Sequence, residues 1–313
     1  MRKCWIGIAL WTAVGIVSAQ SMWEQLDAYN VVWDSPSKNV NGTMPIGNGQ
    51  IGLNVWWEEN GDLQFFIAST DAWDEAGRLV KVGKVRIALD PNPVKTGQPF
   101  RQTLNLKSGT IDFILGQEEE QVNVRLWVGS VIHVFIEGKK DTAATATIER
   151  WRTERKQINY SEPGYFGDPG FQFPQPAFCG PDVLIDEKTL GGGSRIGWYH
   201  DTGDSEWYTL TAQHQGLEGL READPLSHRV FGGMISNPTA KRLNDSILQS
   251  PSSRAHHFEI AVLTLQPSTP DQWLEEANRT IEESRKVDYA SQFRKHSLFW
   301  GKFWDQSWLF ISG

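Results

Sequence analysis

Ile111-Asp112-Phe113-Ile114-Leu115 and Gln121-Val122-Asn123-Val124-Arg125-Leu126-Trp127-Val128, joined across Glu118-Glu119-Glu120, decide the fold. In the second run the apolar residues fall mostly two apart, which is the period of a strand with one face buried. The acidic triplet reads as the solvated turn of a hairpin rather than a cation site, since three adjacent carboxylates in a short connection repel each other and seek water. Outward from this hairpin the same pattern recurs between Val31 and about Leu265. Residues 51–57, 63–69, 84–89, 110–115, 121–128 and 131–137 are β-branched and aromatic runs separated by Gly, Asn, Asp and Pro clusters. So many strands with no helical period predict a mainly β protein, a large antiparallel β-sandwich.

Two segments break the pattern. Residues 153–195 are rich in Pro, Gly and aromatics, as in Gly167-Asp168-Pro169-Gly170-Phe171, and are predicted to form a long ordered loop. After Pro267 the period becomes helical. Thr269 is placed to cap a helix with Pro270 at its first position, and Trp273, Leu274, Ala277 and Ile281 recur at spacings of three and four. A second helix follows from Tyr289 to Trp304, and its aromatics (Tyr289, Phe293, Phe299, Trp300, Phe303, Trp304) are more than a free terminus would carry. The last residues, Ser307-Trp308-Leu309-Phe310-Ile311-Ser312-Gly313, read as a buried segment.

Composition narrows the function. The 313 residues carry 30 Lys and Arg against 38 Asp and Glu, a net charge of −8, which disfavours nucleic acid and anionic membranes as partners. The two cysteines, Cys4 and Cys179, exclude a disulfide scaffold and a four-thiolate zinc site. Fifteen Trp residues point instead to stacking surfaces, for which sugars are the natural ligand. At the N-terminus, Arg2 and Lys3 precede an uncharged apolar run and Val17-Ser18-Ala19, the layout of a secretory signal peptide cleaved after Ala19. The run is Gly-interrupted and shorter than the roughly 20 strongly apolar residues of an anchor helix. The expected organisation is a signal peptide at 1–19, a sandwich at 20–265 and a helical linker at 266–313, in a secreted or periplasmic protein with no membrane association after cleavage. Cys179 then stands alone and reads as a small buried hydrophobe.

Met44-Pro45-Ile46-Gly47-Asn48-Gly49-Gln50-Ile51-Gly52 is the sharpest local motif. Its Gly-Asn-Gly turn leads straight into a strand, with Gly49 expected in a conformation that a Cβ would strain. It lacks the Lys-Ser/Thr pair and the following helix of a phosphate loop. This turn resembles the N-terminal domain of glycoside hydrolase family 95, the α-L-fucosidase family. Together with Tyr29-Asn30-Val31-Val32-Trp33-Asp34, Thr70-Asp71-Ala72-Trp73-Asp74-Glu75, Gly83-Lys84-Val85-Arg86-Ile87, Trp198-Tyr199-His200 and Asp224-Pro225-Leu226-Ser227-His228-Arg229, it is most similar to the secreted bacterial proteins grouped as domain-of-unknown-function family 5703. The resemblance implies a β super-sandwich, a helical linker and an (α/α)6 barrel that carries the catalytic carboxylates. Residues 1–313 reach only the linker, so the barrel is expected to lie outside them.

Three functions follow as expectations. The first is the non-catalytic N-terminal domain of a secreted glycoside hydrolase-like protein acting on glycans, with its catalytic residues in the missing barrel. The second is a self-standing carbohydrate-binding sandwich. The third is a complete small glycosidase using Asp71, Asp74 or Glu75, since glycoside hydrolysis usually takes two carboxylates flanking one bond. Asp71, Asp74 and Glu75 also fit a capped turn or a pairing with Arg78 or Lys81. Asn48, Asp71, Trp73, Asp74, Trp198 and His200 are the candidate cleft residues; His200 is read as an exposed loop histidine able to meet a sugar hydroxyl. His256 and His257 fall on opposite faces of a strand and do not make a metal pair. No metal or cofactor is expected.

If residues 1–19 are an export signal, the intact mass of exported protein will correspond to a chain starting at Gln20; soluble product that retains Met1 contradicts the reading.

Overall fold

The computed structural model describes residues 22–59, 61–158, 176–220 and 224–306. The signal peptide predicted at 1–19, residues 159–175 of the predicted loop and the final segment 307–313 lie outside the described residues. Fourteen strands among those described make one antiparallel sheet, and the small pair Lys156–Gln157 and Phe178–Cys179 stands apart from it. In chain order the strands begin with β1 (Val31–Trp33), β2 (Met44–Gly47), β3 (Ile51–Trp57), β4 (Leu63–Trp73) and β5 (Leu79–Asp90). Then come β6 (Phe100–Asn105), β7 (Thr110–Leu115), β8 (Val122–Val128) and β9 (Ile132–Glu149). The small pair is β10 (Lys156–Gln157) and β11 (Phe178–Cys179), followed by β12 (Val183–Leu184), β13 (Arg195–Asp201), β14 (Val230–Ser236), β15 (Lys241–Asn244) and β16 (Ile247–Leu265).

The sheet becomes a sandwich because two strands serve both layers. The first part of β9 pairs with β8 and with the end of β16, in registers such as Val124↔Ile136 and Phe258↔Val134. The rest of β9 pairs with β5 and with the start of β16, as in Ile87↔Ala146 and Leu248↔Ala146. Between the halves the register of β16 shifts twice, at Ser250/Ser253 and Ser253/Ala255. Opposite, Gly138 occupies a point where a Cβ would come within 2.8 Å of the Lys140 carbonyl. These irregularities bend both strands from one layer into the other. One layer therefore runs β1-β6-β7-β8-β9-β16-β14-β13-β12, and the other is built outward through β5, β4, β3 and β2. Their inner faces form one core in which Val55, Phe65, Val85 and Ile87 join Phe113, Val124, Leu126, Val134 and Phe258. Each such side chain contributes about 1.5 to 3 kcal/mol by leaving water.

The predicted mainly β architecture and antiparallel sheet are what the structure contains. Glu118–Glu120 is a solvated 3-10 turn in the β7–β8 hairpin, as expected. Three expectations need correction. The central strands are far longer than the windows 84–89 and 131–137 implied, at 12 residues for β5 and 18 for β9. Gly138-Lys139-Lys140-Asp141 looks like a turn in sequence and is a bend within one strand. The 153–195 segment is not all loop: besides β10, β11 and β12 it holds α2 (Glu187–Leu190), capped by Asp186 and ended by Gly191 in the left-handed conformation. Helices also occur before the linker. α1 (Met22–Asp27) precedes the sheet, and α3 (Glu206–His214) buries Leu210 in a small cluster with Ala76, Ala177 and Cys179.

The two C-terminal helices form where expected. α4 (Pro270–Arg285) starts in a capping box between Thr269 and Gln272. It buries Trp273, Ala277 and Ile281 against Val230, Met234 and Ala261 on the outer face of β14 and β16. α5 (Tyr289–Trp304) lies on the β6–β8 side: Trp304 Nε1 donates to the Leu106 carbonyl at 2.7 Å, and the Arg125 guanidinium sits 4.7 Å from the Phe293 ring centre. Its aromatic face is thus divided. Tyr289, Phe293, Trp300 and Trp304 are half-buried against the sandwich, whereas Leu298, Phe299 and Phe303 are exposed.

Trp198 ties the two layers together. Its indole donates to the Val82 carbonyl at 2.8 Å and fills the space above Gly83 and Gly233, where a Cβ would come within 2.8 and 2.4 Å of the ring. Trp198→Ala is expected to cost about 3 to 5 kcal/mol in urea unfolding. Gly49 has φ +95° with open space around it, so Gly49→Val costs only backbone strain, about 1 to 3 kcal/mol. Variants that melt like the parent would contradict both readings.

Candidate functional site

The β4–β5 connection carries the best carboxylate group, and the sequence folds it into a closed turn. Asp74 Oδ1 accepts from the amides of Ala76 and Arg78 at 3.1 and 2.9 Å, and Gly77 supplies the positive φ of +72°. The Arg78 guanidinium turns back onto Asp74 Oδ2, with Nε at 2.8 Å and Nη2 at 2.7 Å. Of the roles open to Asp74 in the sequence, capping a turn and pairing with Arg78 are the ones realised.

Glu75 points into the protein. Its Oε1 accepts from the Gly180 amide at 2.6 Å, and its Oε2 lies 3.1 Å from His200 Nε2. The other imidazole nitrogen, Nδ1, lies 3.2 Å from Asp182 Oδ1, which also accepts from Arg152 Nε at 2.8 Å. His200 is therefore held between two carboxylates, and it is 1% exposed. Burial alone would lower its pKa, but the bonds to Asp182 and Glu75 outweigh burial and raise it to about 9. Burial likewise works to raise the Glu75 carboxyl, and the His200 bond and charge together with the Gly180 amide hold it below the usual range. At neutral pH the cluster is a buried imidazolium between carboxylates, which joins the β4–β5 turn to β13 and to the residue before β12.

Cys179 adjoins the cluster, its Sγ 3.9 Å from Asp74 Oδ2 and 3.6 Å from Arg78 Nη2. Burial, then the charges of Glu75 and Asp74, push its thiol far up, so it is an inert buried group as the sequence indicated. Asp74, Glu75 and Cys179 lie close enough together to suggest a cation site. The Asp74 and Glu75 oxygens are already engaged by Arg78, His200 and backbone amides, so the donor set fits a structural clamp better than a metal.

The structure separates the other predicted residues. Trp198 and His200 are two apart in β13, a strand flanked by β12 and β14, so both face inward, and His200 is not the exposed loop residue expected. Asp74 is likewise fully buried. These three cannot line a cleft. Asn48 is exposed and holds two turns together: its Oδ1 accepts from the amides of Gln50 and Ile51 at 3.0 and 2.8 Å, and its Nδ2 donates to the Gly129 carbonyl at 2.9 Å. It borders a cleft of about 570 Å³ between the β8–β9 turn and the α4–α5 elbow. Trp73 is 36% exposed and donates to the Thr70 carbonyl, while Asp71 is half-buried and its carbonyl accepts from Arg229 at 2.9 Å.

His256 and His257 do face opposite ways. His256 is bonded to Ser250 Oγ and the Thr142 carbonyl, both at 2.8 Å. His257 Nε2 meets His133 Nδ1 at 3.0 Å, and burial, followed by the charges of His257 and His296, lowers His133 to about 3. Glu259 lies near this pair but is bonded to Ser284 Oγ at 2.7 Å and Arg285 Nε at 2.8 Å, which places a guanidinium where a cation would have to sit.

An open cleft of about 700 Å³ among the described residues lies beside the His200 cluster and was not legible in sequence. Arg78, Cys179 and Gly180 separate it from Asp74 and Glu75, and Phe66, Lys81, Trp151, Arg152, Glu154 and Lys156 complete its wall. Arg150-Trp151-Arg152-Thr153-Glu154-Arg155-Lys156, a basic run around a Trp in an acidic chain, was the available signal.

His200→Gln removes the cation from between two buried carboxylates and is expected to cost about 3 to 5 kcal/mol. The pH dependence follows from the sign of the shift. The folded pKa near 9 exceeds the unfolded value near 6.5, so the stabilisation is complete below about pH 6.5 and is lost as pH rises through about 9. For Glu75, held low, it is present above about pH 4.5 and lost on acidification. Urea midpoints across this range should show an alkaline loss that His200→Gln abolishes; a parallel profile in the variant would contradict the clamp.

No curated protein is matched by the chain. A solved structure described as a kojibiose phosphorylase from the human microbiome is similar over 88% of this chain, at 11% identity and a TM-score of 0.43. The chain spans 38% of that protein's length. Residues 32–309 match the family model DUF5703_N, described as a domain of unknown function (DUF5703). The match takes in nearly the whole sandwich and both C-terminal helices, and the chain belongs to that family.

Proposed function

We propose that the chain is the N-terminal, non-catalytic domain of a secreted glycoside hydrolase-like protein, with the catalytic carboxylates supplied by an (α/α)6 barrel elsewhere. The observation that carries this reading is the condition of Asp74 and Glu75. All four of their carboxylate oxygens are bonded, and both residues are buried behind Arg78 and Gly180. A general acid must be held protonated next to an accessible bond, and a nucleophile must reach it. Glu75 is held ionised and inaccessible, so the complete small glycosidase is disfavoured. The resemblance of the sequence motifs to family 95 implies such a barrel, and the exposed Leu298, Phe299 and Phe303 on α5 are an apolar face of the kind that marks a contact surface.

The self-standing carbohydrate-binding sandwich is weaker as a description of the whole. Of the Trp residues whose burial is described, Trp73 and Trp151 are the exposed ones, at 36% and 48%, and they do not line a common cleft. Export through residues 1–19 is part of the proposal. No helix among the described residues is long and apolar enough to cross a membrane.

A panel of aryl glycosides including the α-L-fucoside tests the proposal. The 313-residue chain alone is expected to turn over none of them. Turnover that Asp74→Asn or Glu75→Gln abolishes, in a protein still folded by circular dichroism, would overturn it in favour of a small glycosidase.

A further inference from the structure

The cleft above the His200 clamp combines an exposed aromatic face with cationic groups in a chain whose net charge is −8. Trp151 stands at its rim, 48% exposed, edge-on to Phe66 with ring centres 6.0 Å apart. The Lys81 ammonium lies 5.1 Å from the Phe66 ring centre, on the same wall. Arg152 is fixed by three contacts: Nε to Asp182, Nη1 to the Lys81 carbonyl at 2.9 Å, and its guanidinium 5.8 Å from the Trp151 ring centre. Its Nη2 is buried and has no acceptor. Among the described lining residues this is the one buried side-chain donor left unsatisfied, at a cost of about 1 to 3 kcal/mol.

We propose that this cleft is a binding subsite for an acidic sugar unit of a glycan, whose ring stacks on Trp151 and whose single anionic group, a carboxylate or a sulfate ester, is taken by Arg152 and Lys81. The charge balance selects the ligand. Arg78 is neutralised by Asp74, and Arg152 and His200 together by Asp182 and Glu75. Glu154 on the rim opposes Lys81 and Lys156, which leaves a formal excess of one positive charge on the lining. What is left suits one anionic group and not a polyphosphate or nucleic acid, which the acidic surface would repel. A half-exposed indole offers a flat apolar face that fits a pyranose, and Thr153, Glu154 and Gln157 supply polar groups for its hydroxyls. The inference rests on the reading that the chain belongs to a glycan-handling protein, but it has its own test.

Isothermal titration of the full chain with oligogalacturonate, its methyl ester, a sulfated galactan oligomer and the desulfated galactan separates the cases. The expected result is binding of at least one charged oligomer, weakened about tenfold by removal of its charge and by Trp151→Ala or Lys81→Gln. Raised ionic strength should weaken it as well. The charged oligomer that binds identifies the anionic group. Equal binding of charged and neutral oligomers would overturn the acidic specificity while leaving glycan binding intact. Binding unchanged in Trp151→Ala and Lys81→Gln would overturn the site, and no binding of any oligomer would overturn the subsite. None of these outcomes touches the assignment of catalysis to a separate barrel, which the aryl glycoside panel decides.

Discussion

Everything in the fold depends on the antiparallel pairing of β9 with β16, strands of 18 and 19 residues that belong to both layers. A flat sheet of this width would leave one apolar face in water. Bending its two longest strands midway, at Gly138 and at the register shifts around Ser253, folds the sheet onto itself and lets Phe113 and Phe258 share a core with Phe65 and Val85. The outer face of the same β16 then receives α4 through Trp273, so one strand meets the inner core, the outer helix and both layers.

Where the layers meet near β13, packing and charge are fixed by neighbouring side chains of a single strand. Trp198 fills the space above two glycines, and His200, on the same face, carries a buried positive charge between Glu75 and Asp182. Tyr199, facing the other way, reaches Trp273 of α4. A buried ion triad is a poor source of net stability, because desolvation offsets most of the attraction. Its value lies in specificity: it positions the Asp74–Arg78 turn and Cys179–Gly180 as the floor of the cleft. The carboxylates that look catalytic in sequence are consumed in building that floor.

Much of the fold was legible. The period-two runs located β3, β7 and β8, and the Thr269-Pro270 start and three-four spacing located α4, because these are local signals. The long strands were not, because Gly138 to Asp141 and Pro251 to Ser253 have turn composition and only long-range pairing keeps them extended. α3 escaped because its buried contribution is little more than Leu210. The site was legible only in part. Asp74 and Arg78 are four residues apart and their pairing was among the readings open, whereas Asp182, Glu75 and His200 converge from three distant segments. His200 was misplaced because Asp201-Thr202-Gly203-Asp204 after it reads as a loop, although alternation from Ile196 through Trp198 carries it into the core.

The chain is thus a DUF5703 domain whose acidic cluster is held in a buried clamp beside an open cleft. The most direct measurement of that claim is an NMR titration of the His200 imidazole in the folded protein. A buried imidazolium held by Glu75 and Asp182 predicts a ring that stays protonated through neutral pH, with a midpoint near 9. A midpoint at or below about 6.5, the value of a free histidine, would contradict the account and return Glu75 to the list of groups available for catalysis.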